Sequence, residues 1–189
     1  MTQNNTTPET GGNKMTTIRL AKMAMLVAMS IVLVALVHFP IFPAVAFLEY
    51  DPADIPILIG TFAFGPLAGF ILTVVTSVIQ GVTVSAASGV YGILMHIIAT
   101  SALVIVAGVI YRRHKTRKTA LIGVLCGIAA MAIVMIGANL VITPIFMGVP
   151  RSAVWQLMPF IVAFNIIKAG INGLVTFLVY KRISGFLHR

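Results

Sequence analysis

The chain has 189 residues, 59% of them hydrophobic, with only 13 Lys and Arg and 4 Asp and Glu. A soluble domain usually carries about a quarter charged residues, so this composition excludes a water-soluble globular enzyme, and its hydrophobicity excludes disorder. What remains is an all-α, multi-pass membrane protein that works inside the bilayer or at its faces.

Residues 1–16 are polar and read as a flexible tail, followed by a single six-helix membrane domain over 17–185. The first apolar run, 18–39, is too long for a signal-peptide core of roughly 7–15 residues, although Ala44-Val45-Ala46 resembles a cleavage site. Within it, Ala24 and Ala28 form a small-residue pair of the kind that lets helices approach closely. The next segment, 39–52, carries three prolines, three Phe and a Tyr. A connection this apolar must fold back on the helix ends, as packing or as a lid over an apolar ligand.

The stretch 53–84 would be about 48 Å long as one helix, too long for a single crossing of a roughly 30 Å core. Gly65-Pro66 divides it into helices at about 54–64 and 67–84, because proline interrupts helix continuity. Further spans follow at about 88–111, 119–146 and 157–182. Six crossings place all three basic groups (Lys14 to Lys22, Arg112 to Lys118, Lys181 to Arg189) on one side, with both termini cytoplasmic by the positive-inside rule. Glu49, Asp51 and Asp54 then fall on the outer side. Because these basic clusters flank apolar segments, they orient the chain and do not bind nucleic acid.

Polar residues inside spans mark function by default. Asn165, Lys168 and Asn172 share one face of the last span at i, i+3, i+7, either as interhelical glue or as the wall of a ligand pocket. Asn139 lies five residues before Pro144, where it either packs or points into a cavity. Cys126 reads as a small buried hydrophobe, and Gly123-xxx-Gly127 as a packing pair. The four His residues are scattered and show no metal-ligand spacing. No P-loop motif occurs, so an ATP-driven role would need partner subunits. Ala86-Ala-Ser88-Gly89 resembles the serine motif of rhomboid proteases, but the last span offers no His to act as its base. A membrane-embedded hydrolase using Ser88 is therefore the minor alternative.

Four segments together carry a more specific likeness: Phe39–Ile59 (FPIFPAVAFLEYDPADIPILI), Phe64–Gly69 (FGPLAG), Asn139–Gly148 (NLVITPIFMG) and Asn165–Gly173 (NIIKAGING). In this order they resemble the riboflavin-specific S components of energy-coupling factor (ECF) vitamin transporters, over about 17–185. The resemblance implies a non-enzymatic, multi-pass subunit of the bacterial plasma membrane, with riboflavin as transported ligand and no cofactor. It implies capture of the vitamin from outside and assembly with a T component and two ATP-binding subunits; an S component for another vitamin is the nearest alternative. By the same resemblance, Leu48 and its loop, Asn139, Asn165 and Lys168 contact the ligand, with Glu49, Tyr50, Tyr91 and Asn172 as further candidates. Ala24 and Ala28 would dock on the T component.

Overall fold

The computed structural model describes residues 11–187. Six helices succeed one another: α1 (Gly11–Leu36), α2 (Asp54–Phe64), α3 (Pro66–Val82), α4 (Gly89–Arg113), α5 (Arg117–Met147) and α6 (Arg151–Leu187). Helix α1 starts at Gly11, inside the expected tail of 1–16; residues 1–10 of that tail lie outside the described residues. The predicted split falls where expected. Gly65 adopts φ 97°, a conformation that favours glycine, and Pro66 opens α3, where its missing N–H is harmless.

Stretches of four helices (Thr16–Leu36, Ala86–Arg113, Arg117–Met147 and Arg151–Tyr180) are long and apolar enough to cross a membrane. Helix α2 is different. With 11 residues it is only about 16 Å long, and it begins halfway down the bundle. The Ser30 hydroxyl of α1 donates to the Ala53 carbonyl at 3.0 Å, and Asp54 receives Thr100 of α4 and Asn172 of α6. Its other end reaches the basic end, where the Arg19 guanidinium donates to the Phe64 carbonyl at 3.0 Å. Most α2 residues are buried among the neighbouring helices.

The segment before α2 descends into the bundle. Two residue pairs, Phe39 with Tyr50 and Pro40 with Glu49, form a minimal antiparallel ladder (β1, Phe39–Pro40; β2, Glu49–Tyr50) that the sequence did not suggest. Val45 is fully buried and packs with Val154, Met158 and Ile161 of α6, and Phe42 meets Phe160 edge-on at 5.8 Å. The main core draws buried residues from all six helices, with α2 at its centre. Along the α4–α5 seam, a Cβ on Gly123 would come within 2.8 Å of the Ala107 carbonyl, and one on Gly127 within 2.7 Å of the Leu103 carbonyl. The expected glycine packing pair is therefore real. Cys126 is exposed on the outward face of α5 rather than buried as expected, because it follows the exposed Leu125 while its neighbour Gly127 faces α4.

Candidate functional site

The re-entrant segment covers a cavity of about 120 Å³ between α3, α4, α5 and α6. Lys168 projects into it from α6 and is only 5% exposed. A lone buried ammonium would be prohibitively costly, and the fold answers with Asp51, whose Oδ2 lies 2.7 Å from Lys168 Nζ. The other Asp51 oxygen accepts the Ala53 N–H at 3.0 Å, which fixes the carboxylate at the start of α2. The Asn172 amide donates to the Asp51 carbonyl at 2.9 Å and to Asp54 Oδ2 at 3.1 Å. The other Asp54 oxygen takes the Thr100 hydroxyl at 2.7 Å. Loop, α2, α4 and α6 are thus joined by one buried polar network.

Asp51 and Asp54, expected on the outer side together with Glu49, are not solvated loop carboxylates. Both are buried at the level of Lys168 and Asn172, and only Glu49 is exposed. The signal was available: a mid-span lysine demands an acidic partner, and the chain has four acids.

The predicted residues separate into groups. Leu48, Glu49, Asn165 and Lys168 line the cavity. Tyr91 lines a smaller adjoining cavity of about 60 Å³, which shares Phe47, Leu48 and Ser88 with the first. Tyr50, Asn139 and Asn172 line neither. The Tyr50 hydroxyl donates to Asn172 Oδ1 at 3.0 Å, and burial, with the Asp51 carboxylate nearby, pushes its phenol above its ordinary value, so the donor stays protonated. Asn139 donates to its own helix at the Met135 carbonyl and accepts from Thr143, both at 2.8 Å. Ala24 and Ala28 lie on the exposed face of α1, so they serve no internal packing.

Sequence reasoning missed Ser77, Gln80 and His96, which complete the polar wall. The His96 Nδ1 is 2.7 Å from the Ser77 hydroxyl, which itself donates to the Thr73 carbonyl. The His96 Nε2 faces Asp54 Oδ1, 3.6 Å away. His96 Nε2 and Gln80 Oε1 are among the few buried polar atoms of the described residues without a hydrogen-bond partner. Phe47, Phe164 and Met135 add apolar side chains to the lining.

A hydrolase built on Ser88 is not supported, because the one histidine nearby is bonded to Ser77 instead. The site is a container lined by the Lys168–Asp51 ion pair, by further polar groups and by apolar side chains.

The comparisons with known proteins agree with this geometry. The family profile described as the ECF transporter, substrate-specific component matches residues 18–180. The riboflavin transporter RibU of Staphylococcus aureus (strain TCH60) is 28% identical over 178 residues, 90% of this chain and 93% of that protein. The riboflavin transporter FmnP of Bacillus subtilis (strain 168) is 28% identical over 181 residues, 90% and 94% of the two chains. A solved structure of the S component of a bacterial ECF transporter superimposes with a TM-score of 0.77 at 29% identity, covering 90% of this chain and 98% of that one. The family match spans most of the chain and the solved relative shares its helical architecture: the chain is a member of the substrate-specific components of ECF transporters.

Proposed function

We propose that this protein captures riboflavin from outside the cell and delivers it inward in a complex with a T component and two ATP-binding subunits. The observation that carries the reading is the mixed lining of the cavity. Lys168, Asn165, Gln80 and His96 line it together with Phe47, Phe164 and Met135. Such a site suits a flat, largely apolar ring system with a hydrogen-bonding edge and a polyhydroxyl tail, and it penalises ligands that leave its polar groups unpaired. The names of the two bacterial relatives support the choice of vitamin.

In this reading the basic end faces the cytoplasm, so both termini are inside and the 39–53 segment is an outer lid. The cavity is compact beside the roughly 300–1,000 Å³ typical of small-molecule sites. Phe47 and Leu48 border both it and its smaller neighbour, so their displacement would merge the two and admit Tyr91 to the ligand. Leu48, Glu49, Asn165 and Lys168 are the direct contacts. Tyr50 and Asn172 hold the lid on α6, and Asn139 reaches the ligand only by releasing the Met135 carbonyl. The exposure of Ala24 and Ala28 supports α1 as the face that meets the T component.

The test is an absorbance spectrum of the full-length protein purified in detergent, followed by fluorescence titration with riboflavin. The reading expects bound flavin or saturable quenching. Asn165→Ala should weaken binding by about 1–3 kcal/mol through a lost buried hydrogen bond. A colourless protein that leaves riboflavin fluorescence unchanged refutes it.

A further inference from the structure

At the basic end, away from the site just described, α2, α4, α5 and α6 enclose a second and larger cleft of about 690 Å³. Its floor is three rings in mutual contact: Phe62 lies 4.7 Å from Tyr111 and 5.4 Å from Tyr180, and the two tyrosines are 6.0 Å apart. Its rim carries Lys115, Arg117 and Arg182, all exposed. Among the described residues the acids are Glu49, Asp51 and Asp54, and both ion pairs lie around the first cavity. Among the described residues, no carboxylate pairs with the three cations at this rim. The N-terminus of α5 opens on the same rim and adds partial positive charge.

We propose that this cleft binds one anionic phospholipid, with its phosphate among Lys115, Arg117 and Arg182 and an acyl chain against α6. The chain has a track. Leu178 lines the cleft and is 61% exposed, and Leu174, one turn further along the same helix face, is 60% exposed. The apolar surface of the cleft is thus continuous with the membrane-facing side of α6, which a free phosphate would not use. Basic pockets between helices at the membrane boundary suit phospholipid headgroups for this reason. Helix α1, which packs on α2 and α3, takes no part in the cleft, so a lipid here and a protein partner on Ala24 and Ala28 do not compete for one surface. The proposal depends neither on the identity of the vitamin nor on the sidedness of the chain.

Native mass spectrometry of the full-length protein in detergent tests it, with titrations of phosphatidylglycerol, of phosphatidylcholine with the same chains, and of inorganic phosphate. Phosphatidylglycerol should be retained with one-to-one stoichiometry in preference to phosphatidylcholine, and millimolar phosphate should not displace it. Each rim cation near a headgroup is worth about fivefold in affinity, so Lys115→Gln/Arg117→Gln/Arg182→Gln should weaken retention on the order of a hundredfold. Arg112→Gln/Arg113→Gln/Lys118→Gln removes the same charge outside the cleft and should leave retention within about threefold. Should the rim triple variant not purify, Lys115→Glu on the exposed connection gives the same reading. Equal losses in the two triple variants, equal retention of both lipids, or displacement by phosphate would each overturn the proposal.

Discussion

The α4–α5 seam and the joint between the 39–53 segment, α2 and α6 are both buried, yet they are built by opposite means. At the seam, Gly123 and Gly127 bring two backbones together, and the contact is apolar and continuous. At the joint, a few directed bonds among Asp51, Asp54, Lys168 and Asn172 hold a non-helical segment at membrane depth. The seam fails by volume and the joint fails by charge. The difference is one of chemistry: the seam depends on shape alone, whereas the joint depends on a handful of directed bonds.

The comparison is sharpest at Asp51. Asp51→Asn leaves the Lys168 ammonium buried without its partner, and the loss should be about 3–5 kcal/mol, read as a lowered unfolding midpoint in detergent. Asp51→Asn combined with Lys168→Met removes both charges and should recover a large part of that loss. A double variant no more stable than the single would show that the joint is not held by charge. At the seam, Gly127→Val should cost roughly 1–3 kcal/mol by overpacking against the Leu103 carbonyl, with no companion charge change able to rescue it; wild-type thermal stability would contradict the close approach.

Smaller effects probe the edges of the two regions. Phe42→Ala removes the edge-on contact with Phe160 and should cost about 0.5–1.5 kcal/mol for the ring pair beyond its buried area. The effect should appear as faster hydrogen exchange confined to 39–50, and a global rather than local change would mean that the segment is not a separable flap. Ala24→Trp, on an exposed position, should leave stability within about 0.5 kcal/mol and ligand binding unchanged while reducing copurification with the T component. Undiminished copurification would remove α1 from that contact.

These regions also differed in how plainly the sequence announced them. The helices, the Gly65-Pro66 break and the glycine pair follow from apolar run length and backbone geometry, which are local properties. The Asn165, Lys168, Asn172 stripe was visible as a face, but periodicity cannot tell which member meets a cavity. Asn172 bonds to Asp51 of the 39–53 segment, and Lys168 both lines the cavity and pairs with Asp51. The pairing of Asp51 with Lys168 is not legible locally, because nothing within a few positions of Asp51 shows that the chain dips inward. Ser77, Gln80 and His96 went unnoticed because single polar residues on apolar helices become a wall only when α3 and α4 are set side by side.

The descent of the chain to Asp51 has a consequence for how the protein is made. The Asp51–Lys168 bond spans 117 positions, so during synthesis the first half of the polypeptide leaves the ribosome long before the ammonium that neutralises it. Helix α2, with 11 residues and an aspartate at its head, is too short to enter lipid as an independent span. It must wait at the insertion machinery, or at the water boundary, until α6 arrives. The final helix is therefore the step that completes integration, and chains stalled before it should leave residues 50–64 open to protease.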